Sequence, residues 1–245
     1  MRRLLLIIAM SLLPSAVTAD ILVFAAASLK EPLDRIAAER GGITVSYGGS
    51  GALARQVMAG APADLVVLAN DAWMDEMLAA GAVEAQSVAD VASNTLVMIG
   101  PQGSAPLALD ASAIAARLDG GRIATGMTGA VPAGIYAKAA LQSLGLWDAL
   151  SPHLAEVDNV RAALALVARG QTPLGIVYRT DTRFSPAVTE VAAFPADSHP
   201  PIRYTLALTP DAAPQTVALR DYLLSAEGQA VLAEAGFLPP VAQTQ

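Results

Sequence analysis

The stretch Ile21-Leu22-Val23-Phe24-Ala25-Ala26-Ala27-Ser28-Leu29 sets the pattern that decides the fold. Its first five residues are a continuous apolar run, which predicts a buried strand, and the residues from 29 to 40 are predicted to form a helix. The same strand–helix unit recurs over 43–59 and over 65–80. Continuous apolar strands that alternate with helices indicate a mostly parallel sheet covered on both faces.

A second series of strands and helices begins at Thr95 and runs to about residue 194, and one more strand, 203–208, precedes two C-terminal helices. No long Pro/Gly linker separates the two series, so we expect short crossings near 92–94 and 192–195. The sequence therefore predicts an α/β protein of two hinged lobes with the C-terminal segment returning to the first lobe. Lobe 1 is predicted to comprise residues 20–91 plus 195–245, and lobe 2 residues 92–194.

The N-terminus has the three parts of a secretory signal peptide. Arg2 and Arg3 precede an apolar run from Leu4 to Leu13, and Val17-Thr18-Ala19 forms a small-x-small cleavage site. The apolar run is too short to span a bilayer as a helix. We expect residues 1–19 to be cleaved and the mature chain to begin at Asp20.

Cysteine is absent from the sequence, which excludes disulfides, thiol catalysis and cysteine–metal sites. It also excludes a lipid-modified cysteine after the signal peptide. An exported protein without a lipid anchor is retained only where an outer membrane encloses it. We therefore expect a free periplasmic protein of a Gram-negative bacterium.

The net charge of the chain is −7. Removal of Arg2 and Arg3 leaves 13 basic residues against 22 acidic ones, so the mature chain would carry −9. This charge argues against nucleic-acid binding. It does not exclude an anionic ligand, because a buried site is governed by local dipoles rather than by net charge.

Small or polar residues stand at several predicted helix starts, directly after a strand or loop. A helix N-terminus offers unpaired N–H donors and a positive dipole end, which suit an anion. Ser28 is expected to be an N-cap, although a serine there is also an ordinary cap, and Gly-Gly-Ser-Gly is also an ordinary turn. If these helix starts point into one cleft, they form a cage of donors without buried Lys or Arg. The other three starts are Gly48-Gly49-Ser50-Gly51, Val131-Pro132-Ala133-Gly134 and Asp158-Asn159-Val160-Arg161.

Six sequence blocks, in order and across essentially the whole mature chain, resemble the periplasmic molybdate-binding proteins. They are Ala25-Ala26-Ala27-Ser28-Leu29, Ser50-Gly51-Ala52-Leu53-Ala54-Arg55-Gln56, Gly60-Ala61-Pro62-Ala63-Asp64, Val131-Pro132-Ala133-Gly134-Ile135-Tyr136-Ala137, Asp158-Asn159-Val160-Arg161-Ala162-Ala163-Leu164 and Leu174-Gly175-Ile176-Val177-Tyr178.

The resemblance implies a two-lobed periplasmic-binding-protein fold of type II, with the ligand cleft between the lobes. It implies a monomer that binds molybdate or tungstate and passes it to an ABC-type permease in the inner membrane, without catalysis or a cofactor. No side chain would coordinate the metal directly, because the metal is held as its oxyanion. The implied contacts are hydroxyl and backbone groups of Ser28 and Ser50, backbone N–H groups of Ala133 and Val160, and the phenol of Tyr178.

The nearest alternative is a binding protein for another tetrahedral oxyanion, such as sulfate. A secreted serine hydrolase is a further alternative, because the residues around Ser50 approach the G-x-S-x-G motif, with His153 or His199 as the base. The run 49–54 also imitates a dinucleotide fingerprint, but it follows the second strand rather than the first. The acidic residues Asp71, Asp75 and Glu76 are interpreted as a solvated helix start.

Overall fold

A computed structural model describes residues 20–241, which form two five-stranded sheets with helices packed on them. The predicted signal peptide, 1–19, lies outside the described residues. No helix within 20–241 is both long and apolar enough to cross a membrane. The strands are β1 (Ile21–Ala26), β2 (Ile43–Gly48), β3 (Leu65–Leu68), β4 (Ala89–Ser93), β5 (Leu96–Pro101), β6 (Ile123–Gly126), β7 (Leu154–Val157), β8 (Leu174–Tyr178), β9 (Val188–Ala193) and β10 (Arg203–Leu208). The helices are α1 (Lys30–Arg40), α2 (Ser50–Met58), α3 (Asp71–Ala79), α4 (Ala111–Leu118), α5 (Pro132–Ser143), α6 (Trp147–Leu150), α7 (Val160–Ala168), α8 (Arg179–Thr182), α9 (Gln215–Leu224) and α10 (Ala226–Glu234).

The two sheets share one topology. The first has the order β2-β1-β3-β10-β4 and the second the order β7-β6-β8-β5-β9. In each sheet four of the five strands run in the same direction, as predicted, and one strand is antiparallel to both of its neighbours. The antiparallel pairings all involve β5 or β10, the strands by which the chain enters a sheet after crossing from the other one.

Burial explains which strands the sequence pattern identified. Every residue of Leu65–Leu68 and of Leu96–Ile99 is buried, because helices cover both faces of the sheets at these strands. Strands β4 and β7 were missed, since both lie at a sheet edge and mix buried with partly exposed positions. An edge strand therefore lacks the continuous apolar run on which the prediction depended.

The chain passes from the first sheet to the second between Ser93 and Leu96, and it returns between Ala193 and Arg203. The C-terminus is held on the first sheet by paired backbone hydrogen bonds between Ser93 and Leu238, at 2.8 and 3.0 Å. The lobe limits of 20–91 plus 195–245 and of 92–194 stay a prediction. The first lobe contains the first sheet, and the second lobe contains the second sheet.

Candidate ligand-binding site

One cavity collects residues from both sheets at the carboxyl ends of their parallel strands. Its empty volume, including the open mouth, is about 210 Å³, which is below the usual range for drug-sized ligands. All five residues predicted from the sequence line this cavity and are buried. The lining residues are Ala26, Ala27, Ser28, Gly48, Gly49, Ser50, Ala69, Val131, Pro132, Ala133, Val160 and Tyr178.

Three helices begin at the cavity: α2 in the first lobe, and α5 and α7 in the second. In α5 the first amide to donate within the helix is that of Ile135, which bonds to Val131 O at 2.9 Å. In α7 the Asn159 side chain caps the helix by accepting from Ala162 N at 2.9 Å. The amides of Ala133 and Val160 precede these donors, so they belong to the first turns whose N–H groups have no intrahelical acceptor.

The N-cap prediction for Ser28 is wrong. Ser28 lies in a 3-10 turn, Ala27–Leu29, and α1 begins only at Lys30, with Leu29 as its N-cap. The Ser28 hydroxyl instead lies 2.9 Å from the hydroxyl of Tyr204, a residue of β10. Both side chains are buried, so the orientation of Ser28 is set by tertiary packing rather than by its own helix.

Ser50 is the first residue of α2, and its hydroxyl has a different partner. The Ser50 Oγ accepts the backbone N–H of Ala69 at 3.0 Å, and Ala69 also lines the cavity. Since a backbone amide can only donate, one lone pair of the Ser50 hydroxyl is engaged, and the hydroxyl proton remains available to an acceptor in the cavity.

Tyr178 ends strand β8, and its hydroxyl is buried without a hydrogen-bond partner among the described residues. Burial raises the pKa of this phenol well above its ordinary value, so the phenol keeps its proton at neutral pH. An unpaired buried hydroxyl costs about 1–3 kcal/mol. A ligand that accepts from Tyr178 would remove that cost.

The cavity presents donors without a counter-charge. None of its described lining residues is charged, and each of the five predicted residues can supply an N–H or O–H group. No group of three or more His, Asp or Glu side chains within 20–241 is placed to hold a metal ion. The chemistry of this donor set suits a small anion that carries no proton of its own.

The lobes meet closely at the mouth of the cavity. A Cβ atom on Gly49 would lie 2.3 Å from the carbonyl oxygen of Asp158, and one on Gly51 would lie 2.5 Å from that of Ala130. The indole of Trp73 donates to the same Ala130 oxygen at 3.0 Å. The two glycines therefore make room for the second lobe.

Arg161, on α7, joins the lobes behind the cavity. Its guanidinium pairs with Glu31 of the first lobe and donates to the carbonyl oxygen of Ser28 at 3.3 Å. Its Nε also lies 2.9 Å from Oδ1 of Asp181, in an ion pair without hydrogen-bond alignment. The other carboxylate oxygen of Asp181 accepts from the amide of Tyr178 at 3.0 Å, which fixes the end of β8.

The alternative sites inferred from motifs are not assembled in the structure. Neither His153 nor His199 lines the cavity, so Ser50 has no adjacent base for a hydrolase mechanism. Backbone of the second lobe lies against Gly49 and Gly51, where a dinucleotide fingerprint would need space for a pyrophosphate. The acidic residues at the start of α3 are exposed, as expected for a solvated helix start.

Sequence reasoning missed the residues that act on the site from outside the cavity. Tyr204, Asn94 and Trp73 are separated from their partners by 57 to 176 positions in the chain. No local pattern reports such contacts. A tyrosine near the start of the predicted strand 203–208 was the one available signal, since a phenol buried in a sheet requires a partner.

The chain is similar to known proteins over most of its length. The sequence model described as bacterial extracellular solute-binding protein matches residues 21–238. The molybdate-binding protein of Escherichia coli (strain K12) is 42% identical over 226 residues, which cover 89% of this chain and 88% of the relative. That of Haemophilus influenzae is 39% identical over 202 residues, 79% of each chain. The periplasmic molybdate-binding protein of Azotobacter vinelandii superimposes with a TM-score of 0.77 at 22% identity, over 91% of this chain and all of that one, and so shares the fold.

The ionisation of Asp181 gives a testable pH dependence. Burial raises the pKa of its carboxyl to about 6 from 3.8, against the opposing effects of Arg161 and of the Tyr178 amide. The folded state therefore binds a proton between about pH 4 and 6 that the unfolded state does not bind. We expect the wild type to gain roughly 2 kcal/mol of stability relative to Asp181→Asn as the pH falls from 7 to 4. Urea unfolding of both proteins across this range measures the gain, and a constant or reversed difference would contradict it.

Proposed function

Because the chain belongs to the bacterial extracellular solute-binding protein family, we propose that it binds molybdate, and tungstate with it, in the periplasm and delivers the ion to an ABC-type permease. In this proposal residues 1–19 are a cleaved signal peptide and the mature protein is a monomer without a lipid anchor. It neither catalyses a reaction nor carries a cofactor. Ser28, Ser50, Ala133, Val160 and Tyr178 are the proposed ligand contacts.

One observation carries the proposal: the unpartnered Tyr178 hydroxyl faces the same uncharged cavity as the first turns of α2, α5 and α7. Molybdate and tungstate are fully deprotonated dianions near neutral pH and present only acceptors. Each donor at the cavity can therefore be satisfied at once. Hydrogen phosphate carries an O–H group that needs an acceptor, and a hydroxyl of this donor set could accept it only by turning its own proton away from the ion.

A calorimetric titration of the chain from Asp20 with molybdate, tungstate, sulfate and phosphate tests the function. We expect molybdate and tungstate to bind, and phosphate to bind at least about tenfold more weakly, because an unpaired buried polar group costs about 1–3 kcal/mol. At a thousandfold excess over Kd, molybdate should contribute about 4 kcal/mol of stability and raise Tm by about 10 °C. Absence of heat and of a Tm shift at millimolar molybdate would refute the proposal, and preferential sulfate binding would replace molybdate as the ligand.

Removal of the Tyr178 hydroxyl separates binding from folding. We expect Tyr178→Phe to weaken molybdate binding by roughly tenfold to a hundredfold, since a hydrogen bond to a charged group contributes about 1.5–3 kcal/mol. The free protein should lose no stability, because this hydroxyl bonds to none of the described residues. Tyr47→Phe is the matched control: its hydroxyl donates to Asp34 at 2.7 Å, outside the cavity, so its loss should leave affinity unchanged. Calorimetry and thermal unfolding give the two readouts, and normal affinity in Tyr178→Phe would exclude the phenol as a contact.

Closure of the lobes depends on Gly49. Its φ of −70° suits any residue, so Gly49→Ala should not strain the open form. In the closed form the added methyl group would meet the Asp158 carbonyl at 2.3 Å. Overpacking of this kind costs about 1–3 kcal/mol, so we expect molybdate affinity to fall roughly five- to 150-fold. Gly129→Ala adds the same methyl group where no atom lies within 4 Å and should bind normally. Equal affinities for the two variants, measured by calorimetry, would show that closure does not require this contact.

A further inference from the structure

The direction of one buried hydrogen bond decides what Ser28 offers to the cavity. Its Oγ lies 2.9 Å from the Tyr204 hydroxyl, and by distance alone either group could be the donor. If Ser28 donates to Tyr204, its lone pairs face the cavity. If Tyr204 donates to Ser28, the serine proton is left for a ligand.

The side chain of Asn94 determines this direction. The backbone N–H of Thr95 donates to Asn94 Oδ1 at 2.9 Å, and since an amide N–H can only donate, the acceptor end of the side chain is identified. The Nδ2 group therefore points the other way. It donates to the hydroxyls of Thr180 and Tyr204, at 2.9 and 3.3 Å.

Among the described residues, Tyr204 then has one acceptor for its own proton. Its hydroxyl receives a hydrogen bond from Asn94, and the other hydroxyl within reach is that of Ser28. Burial raises the pKa of the Tyr204 phenol above its ordinary value, so the proton is retained. A phenol proton turned elsewhere would be buried and unpaired. Tyr204 is therefore the donor and Ser28 the acceptor.

We propose that Asn94 and Tyr204 are positioning residues that fix Ser28 as a hydrogen-bond donor and so make the cavity select proton-free oxyanions over hydrogen phosphate. This inference rests on the proposed function and deepens it. Asn94 lies at the crossing between the sheets, and its two donations reach Tyr204 in the first lobe and Thr180 in the second. Asn94, which fixes the direction of the hydrogen bond between Tyr204 and Ser28, therefore also links the two lobes at their crossing.

The other serine does not depend on such a relay. Ser50 accepts a backbone amide, that of Ala69, whose direction no substitution can reverse. The direction of the Ser28 hydrogen bond depends on other side chains, so substitutions of those side chains can reverse it.

Asn94→Asp is the decisive variant, because it keeps the shape of the side chain and exchanges its donor for an acceptor. The introduced carboxylate would accept from Tyr204, Tyr204 would accept from Ser28, and Ser28 would turn its lone pairs to the cavity. We expect the ratio of molybdate to phosphate affinity at pH 8 to fall by about tenfold. At that pH both ions are mainly dianions, so the added negative charge weakens both alike and cancels in the ratio.

Three further comparisons control the experiment, with every protein titrated by calorimetry after circular dichroism has confirmed folding. Asn70→Asp places the same charge on another buried asparagine, whose Nδ2 donates to Tyr136 at 3.2 Å, and should leave the ratio unchanged. Tyr204→Phe removes the relay, which is the hydrogen-bond chain from Asn94 through Tyr204 to Ser28. We expect this variant also to lower the ratio of molybdate to phosphate affinity. In a Ser28→Ala background, Asn94→Asp should no longer change the ratio, since the two effects act through one hydroxyl.

The outcomes separate the inference from the function on which it rests. A wild type that does not bind molybdate refutes the proposed function before any variant is compared. A wild type that prefers molybdate, with the same ratio in folded Asn94→Asp and Tyr204→Phe, overturns the relay and leaves the function intact. An equal loss of ratio in Asn70→Asp would also overturn it, since charge alone would then account for the change.

Discussion

A dianion that leaves water for a cavity without charged walls must exchange its hydration shell for fixed N–H and O–H donors. Helix N-termini supply such donors without bringing a cation that would itself need to be desolvated. A cationic side chain would be the alternative source of positive potential, but Arg161 does not have that role. Its guanidinium lies outside the cavity and is already paired with Glu31 and Asp181, so its charge serves the junction of the lobes rather than the ligand. The field inside the cavity comes from dipoles, which explains how an acidic protein can bind an anion.

The topology places these dipoles. In both sheets the parallel strands end at the cleft, and helices α2, α5 and α7 begin there within a few residues of β2, β6 and β7. The antiparallel strands β5 and β10 have a different task, since each brings the chain into a sheet from a crossing. Asn94 lies on one of these crossings and Tyr204 on the strand after the other. The direction of the hydrogen bond between Tyr204 and Ser28 is thus determined by residues on the segments that join the lobes.

The sequence predicted correctly those features that depend on the backbone, namely strand limits and the N–H donors at helix starts. Strand β10 was predicted at 203–208, the limits that the structure has, and every residue from Tyr204 to Leu208 is buried. Ala133 and Val160 were placed correctly at helix starts, since the first turn of a helix has free N–H groups whatever its side chains are. Ser28 was assigned an N-cap that it does not form. Its real partner, Tyr204, lies 176 positions away, and only tertiary structure brings the two hydroxyls together.

If the lobes close on the ligand as proposed, the unpaired donors also determine when they close. In the structure the Tyr178 hydroxyl is buried without a partner among the described residues, at a cost of about 1–3 kcal/mol. Opening the cleft would expose this group to water and remove the penalty. A ligand shifts a two-state equilibrium only by its differential affinity for the two states. An acceptor-only ion gains most of its hydrogen bonds in the closed form, whereas an ion with a proton of its own replaces one unpaired donor by another. Selectivity and closure therefore have the same physical origin: the ion that satisfies every donor is also the ion that stabilises the closed form.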